Sequence, residues 1–204
     1  VWDLAETLKI AVFASHGGTD LQSLIDGCED GTIDGRIVVV ISNNRKSYAL
    51  ERARNHGIDA LHLSVKDFPS EEEFTETLIK ELRNREVNLI CLAGYMKFLP
   101  RRLIEFAKKR VLNIHPALLP RHGGKGMYGI HVHEAVIAAG ERETGVTIHQ
   151  VDHLYDHGKI IAQRKVVVLP DDTPESLQER VLEVEHRLYP ETVAKIATGD
   201  IELE

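Results

Sequence analysis

Residues 8–14, Leu-Lys-Ile-Ala-Val-Phe-Ala, run directly into residues 15–20, Ser-His-Gly-Gly-Thr-Asp, and this junction decides the fold of the 204-residue chain. Apart from Lys9, the first stretch is apolar at odd and even positions alike. It therefore reads as a strand covered on both faces, not one with a wet side. The second stretch holds two glycines where a helix opens over residues 20–28, with Leu21, Leu24 and Ile25 on one face at helical spacing. A buried strand, a glycine turn and an amphipathic helix make the first half of a β-α-β unit.

The unit repeats outward. Residues 36–42 (Arg-Ile-Val-Val-Val-Ile-Ser) are β-branched and read as a second buried strand. A short helix over 48–56 stops at Gly57, which suits the left-handed position after a helix end. A brief strand follows over 60–63. Ser70 with Glu73 three residues on is a capping-box pattern, and Phe74, Leu78 and Leu82 line one face of the helix it starts. Residues 88–93 and 110–114 read as strands on either side of a helix that begins at Pro100. After Gly129 come a helix (131–139), strands over 145–151 and 159–168, and a last helix from Thr173-Pro174-Glu175 to about residue 197. A short turn near Asp156-His157-Gly158 makes those two strands an antiparallel pair. The expected architecture is α/β: a Rossmann-like, mostly parallel sheet with helices on both faces and an antiparallel strand pair near the C-terminal part. With no repeat and no Pro/Gly/Ser linker, residues 1–204 are expected to form one domain.

Composition narrows the function class. Thirty-two acidic residues against 25 basic ones give a net charge of −7, which speaks against a nucleic-acid partner. No apolar run approaches the ~20 residues that span a bilayer, so no membrane partner is expected. Residues 1–9 include Asp3 and Glu6 and do not read as a secretion signal. Cys28 and Cys91 make no disulfide framework and no metal-binding pair, which favours a reducing cytoplasm as the expected location.

In open parallel sheets ligands bind beyond the carboxyl ends of the strands, and three polar loops fall there. The loop over 15–20 can hold a phosphate on main-chain N–H groups at a helix start; the commoner reading of its residues is a tight turn capped by Asp20. Asn113-Ile114-His115-Pro116 ends a strand, and alternation puts Asn113 and His115 on one side. An amide beside an imidazole suits an oxyanion, while a lone His is more often a turn cap. Residues 151–158 carry Asp152 and Asp156 and are either a polar hairpin turn or the source of a carboxylate. Such a carboxylate facing His115 is expected to raise the imidazole's pKa and keep it charged. Eleven His residues give pairs with usable zinc spacing, His131 with His133 and His153 with His157. Neither has cysteine support, and no metal is expected.

Asn113-Ile-His-Pro-Ala-Leu-Leu-Pro120, then His131 and His133, then Gly145-Val-Thr-Ile-His149 and Asp156-His-Gly158, resemble the folate-dependent formyltransferases, over about residues 8–199. Within that superfamily the likeness is greatest to the branch that formylates glycinamide ribonucleotide, N1-(5-phospho-D-ribosyl)glycinamide, for purine (IMP) biosynthesis. The resemblance implies 10-formyltetrahydrofolate as co-substrate, and small-molecule partners only for a monomer or homodimer. It implies catalysis by Asn113, His115 and Asp156. Gly18, Thr19 and Asp20 would bind the ribonucleotide phosphate, and Glu185 the ribose hydroxyls. Met96, Lys97, Phe98, Leu99 and Asn113 would line the folate site. Related hydrolase and transfer-RNA enzymes carry an extra domain at one end, for which the chain shows no counterpart. It departs from the family pattern in three places. Asp20 replaces a neutral amide, and a carboxylate beside phosphate is repulsive unless it points away to cap the helix. Glu71 stands where many members have an Arg. Residues 122–129 form a longer, four-glycine loop, either a lid that brings Lys125 to an anion or a surface insertion.

Overall fold

The computed structural model describes residues 7–203; residues 1–6, within the segment read for a secretion signal, and residue 204 lie outside the described residues. The chain alternates through β1 (Leu8–Phe13), α1 (Thr19–Glu29), β2 (Gly35–Ser42), α2 (Tyr48–Asn55) and β3 (Asp59–His62). It continues with a 3-10 turn (Val65–Asp67), α3 (Glu71–Asn84), β4 (Leu89–Leu92), α4 (Arg101–Phe106) and β5 (Val111–His115). Then follow α5 (Ile130–Ala138), β6 (Glu143–Gln150), β7 (Ile160–Val167) and α6 (Pro174–Ala197). Seven strands form one sheet in the order β3-β2-β1-β4-β5-β6-β7. The pairs from β3 through β5 are parallel, and β5–β6 and β6–β7 are antiparallel. The expected fold class is therefore the observed one.

The double-sided burial of β1 is resolved residue by residue. Leu8, Ile10, Val12 and Ala14 join the core beneath α1, α2, α5 and α6, while Ala11 and Phe13 join the second core beneath α3 and α4. Alternation through one strand thus feeds two helical layers. Ser70 caps α3 as its spacing predicts, its Oγ accepting the Glu73 amide at 3.1 Å, and Gly57 takes φ +66° after α2. The connection between β6 and β7 differs from its expectation. Instead of a tight turn, a nine-residue excursion over 151–159 rises above the strand ends.

The sheet order reverses direction between β1 and β4, and the loops leaving those two strands part around a crevice. Ser15 holds the rim together: its amide donates to Gly94 O (3.1 Å), its hydroxyl to Asn43 Oδ1 (2.5 Å), and the Met96 amide donates to its Oγ (2.8 Å). On the other side the fully buried Tyr189 of α6 donates its O–H to Leu92 O at 2.9 Å, with Leu112 O at 3.4 Å. One phenol thereby seats α6 on the end of β4 and the first part of β5.

Candidate active site

A cleft of about 830 Å³ opens over these strand ends. Asn113 and His115 reach it from β5, one residue apart and so on one face. Antiparallel pairing then sets His149 of β6 directly opposite Asn113, and Thr147 opposite His115. Thr147 fixes the turn that follows His115: its Oγ donates to Ala117 O (2.6 Å) and accepts the Leu119 amide (3.1 Å). Asp156 enters from the 151–159 excursion, with φ +50°. Its Oδ1 lies 3.6 Å from His115 Nδ1 and 3.6 Å from His149 Nε2. The amide, the imidazole and the carboxylate singled out from sequence therefore meet in one place.

The hydrogen bonds assign proton positions. His149 Nδ1–H donates to Gln150 O (2.9 Å), so its Nε2 lone pair accepts Asn113 Nδ2–H at 3.1 Å. The other Asn113 N–H points at Asp156 Oδ1 across a weak 3.5 Å. His115 Nε2–H donates to His122 O at 2.8 Å, which leaves Nδ1 as the atom that faces Asp156. Burial would raise the Asp156 carboxyl. His149 when its Nε2 also carries a proton, the charge of His115 and the Gly124 amide (2.9 Å to Oδ2) outweigh it and hold the group below its ordinary range, ionised at neutral pH. His115 corrects the expectation of a raised pKa: burial pushes it below its ordinary value, and Asp156 and the His122 carbonyl recover only part of that. The protonated imidazole is thus a stronger acid than an exposed one. His133, whose burial pushes it down to about 4, stands beside it as a neutral ring.

At the other end of the cleft, Gly18 precedes α1 in the left-handed region (φ 71°), and no side chain caps the helix. The first amides of α1 are left without intrahelical partners. Asp20 does not cap, contrary to the turn reading. It turns inward toward α6, its Oδ1 buried without a hydrogen-bond partner and 3.8 Å from His186 Nε2. Burial raises it from 3.8 to about 7. Glu185, also lining the cleft, is raised well above its ordinary value by burial and by the Asp20 charge. Thr19 faces a neighbouring groove between α1 and α6 instead.

The Asp20 shift has a sign that can be measured. Between about pH 4 and pH 7 the folded chain binds more proton at Asp20 than the unfolded chain, so this group's contribution to stability falls as pH rises through that window and is flat above it. The groups facing it are Glu185, His186 and Tyr189 from α6. Asp20→Asn is expected to be about 1–3 kcal/mol more stable than the parent at pH 8 and to lose that advantage by pH 4. Thermal melts across this range check it; equal melting temperatures at pH 8 would contradict it.

Of the segment after β4, Met96 and Lys97 line the cleft, whereas Leu99 is buried in the second core. Phe98 is half exposed and stacks on Tyr155 at a 3.6 Å ring-centroid distance, bridging the 95–99 and 151–159 loops. Glu71 does not line the cleft, and Lys125 does, from an exposed position on the glycine-rich loop. His131 pairs with Glu134 (2.9 Å) and His157 with Asp152 (2.7 Å); among the described residues no three His, Cys, Asp or Glu gather in a metal-holding group. Sequence reasoning passed over His149, His122 and Gly124 as members of the site. Strand register brings in the first and loop geometry the other two, and neither leaves a mark in local sequence.

A formyl transferase family model matches residues 8–193. The chloroplastic phosphoribosylglycinamide formyltransferase of Arabidopsis thaliana is 46% identical over 189 residues, 92% of this chain and 65% of that protein. The phosphoribosylglycinamide formyltransferase of Haemophilus influenzae is 37% identical over 196 residues, 96% of this chain and 90% of that one. Glycinamide ribonucleotide transformylase 1 from Symbiobacterium toebii superimposes with a TM-score of 0.89 at 40% identity, covering 97% of this chain and 91% of that one. The chain thus spans just under two thirds of the plant protein and nearly all of the two bacterial ones.

Proposed function

Because the chain belongs to the formyl transferase family, we propose that it moves the formyl group of 10-formyltetrahydrofolate to the amine of N1-(5-phospho-D-ribosyl)glycinamide, a step of purine biosynthesis, as one cytoplasmic domain. The observation that carries this reading is the meeting of Asn113, His115 and Asp156 at one end of a single cleft whose other end holds the N-terminus of α1 and Glu185.

The amine nitrogen attacks the formyl carbon, and the carbonyl electrons move onto oxygen. Asn113 turns its second N–H from the weak contact with Asp156 to this oxyanion. A donor so placed is typically worth ~3–4 kcal/mol. His115, charged by a proton on Nδ1, supplies the second donor, and the Asp156 carboxylate steadies that charge. The proton released by the attacking amine passes by way of Asp156 and water to the folate nitrogen as the carbon–nitrogen bond to folate breaks. The products are the formamide and tetrahydrofolate, with no covalent enzyme intermediate and no net proton released. The main chain of Gly18, Thr19 and Asp20, with its unpaired amides at the start of α1, takes the phosphate end. Burial raises Asp20 to about 7, so the fraction protonated near neutral pH presents no charge to an anionic substrate. Met96 and Lys97 belong to the pterin side, where an apolar slot suits a flat heterocycle, and Leu99 supports them from the core behind.

The deciding experiment incubates the protein with 10-formyltetrahydrofolate, with and without the ribonucleotide, and follows formylated product and formate. Product that requires the ribonucleotide is expected, with little formate in its absence. Formate release that ignores the ribonucleotide would make the protein a hydrolase instead.

A further inference from the structure

The glycine-rich loop touches both halves of the His115–Asp156 pair through its backbone. His122 O takes the His115 Nε2–H at 2.8 Å, and the Gly124 amide donates to Asp156 Oδ2 at 2.9 Å. His115 Nδ1 and Asp156 Oδ1 are 3.6 Å apart, beyond a direct hydrogen bond. The relative placement of acid and imidazole is therefore set by the three residues that bridge them. Gly123, between the two contacts, is closely packed: a Cβ would sit 2.5 Å from Leu119 Cδ2, so that the leucine tip would have to move, and 3.3 Å from Asp156 Cβ. His122 holds the left-handed φ of +53°, a conformation that costs a residue with a β-carbon and persists only where its surroundings enforce it.

The partner of the His122 side chain lies outside the cleft. Glu141, on the turn after α5, takes the Arg121 guanidinium on Oε2 at 3.0 Å and the His122 Nε2 on Oε1 at 3.2 Å. One carboxylate thus grips two successive side chains just ahead of the two backbone contacts. We propose that Glu141 is a positioning residue for formyl transfer: by latching Arg121 and His122 it keeps the His122 carbonyl on His115 and the Gly124 amide on Asp156. This assignment rests on the proposed roles of His115 and Asp156. Releasing the latch frees the His122 peptide to rotate. His115 then loses the acceptor that fixes its tautomer, and Asp156 loses a donor to its charged form.

The test compares Glu141→Ala and Glu141→Gln with the parent in ribonucleotide-dependent formyl transfer across pH. Glu141→Ala is expected to lower kcat by about 10- to 100-fold with both KM values within about threefold. The basic limb of the kcat profile should move to lower pH, because the His122 carbonyl favours the charged imidazole. The other charged and titratable groups facing that imidazole are Asp156, His149, His122 and His133; of these His122 loses its carboxylate partner in both variants, and the ring NMR reads that change separately from the loss of the carbonyl. Glu141→Gln keeps one acceptor for Arg121 and should fall between the two; it also serves if the alanine variant does not fold. Nitrogen NMR of the His115 ring adds a direct reading: a proton on Nε2 in the parent, and a mixture of tautomers in the variants. A kcat and pH profile equal to the parent's in both variants would overturn the proposal. So would a lowered kcat with an unmoved profile and an unchanged tautomer, which is the mark of general loosening. If Asp156→Asn retains full activity, the roles of His115 and Asp156 fail; if only the Glu141 variants retain it, the latch alone fails.

Discussion

Asp156→Asn is expected to lower kcat by about 10²- to 10⁴-fold, with folate binding almost unchanged. Asparagine keeps the shape and can still accept the Gly124 amide, so the excursion over 151–159 has no steric reason to move. What disappears is the charge. His115 already sits below its ordinary pKa because it is buried, and the Asp156 carboxylate is the largest influence raising it. Without that charge the imidazolium becomes scarcer just where the oxyanion needs it, and the carboxylate that passes on the amine's proton is gone. Steady-state kinetics should show the loss in kcat, not in the folate KM, and the remaining activity should fail at a lower pH than in the parent. Turnover near the parent's at saturating substrates would remove Asp156 from the chemistry.

A comparable loss is expected from Gly158→Ala, which changes no functional group. A Cβ at Gly158 would overlap the Gln150 carbonyl group, falling on its oxygen and 2.7 Å from its carbon. The Gly158 φ lies outside the left-handed region, so this glycine is required for space and not for conformation. Gln150 ends β6 and accepts no intrusion without shifting the strand that carries His149. The excursion must lift instead, and Asp156, two residues away, lifts with it. A misplacement of about 1 Å costs on the order of 10²-fold in rate, and overpacking at such a site costs about 1–3 kcal/mol of stability. Activity and thermal melting measured together check this. A variant with both values unchanged would show that the excursion yields without disturbing Asp156.

These two residues show how unevenly the site was legible. Asn113 and His115 could be paired from sequence because strand alternation is a local rule: two positions apart means the same face. Asp156 could be linked to them through the family resemblance but not through any local rule, since 41 positions separate it from His115 and the excursion that carries it reads, as a string, like a polar hairpin turn. The His115 pKa was expected to rise for a sound reason, a nearby carboxylate. Burial outweighed it, and burial is a property of the packed surroundings. Asp20 failed as a cap for a similar reason. At the second position of α1 its side chain finds α6 within reach, with His186 Nε2 3.8 Å away, and turns there instead of back to the helix start.

By itself the sequence determined the order and type of the elements, the two-sided burial of the central strands and the family, because each is carried by periodicity, glycine placement or short motifs that need no knowledge of distant residues. Only the tertiary structure decided that His149 faces Asn113, that the 122–124 backbone grips His115 and Asp156, that Glu141 holds the Arg121 and His122 side chains, and that Asp20 is buried against α6. The physical reason is common to all four. Strand register, hydrogen bonds to peptide groups and desolvation arise between segments far apart in the chain, and any residue with a main chain can make a peptide contact. No residue type advertises such contacts in advance.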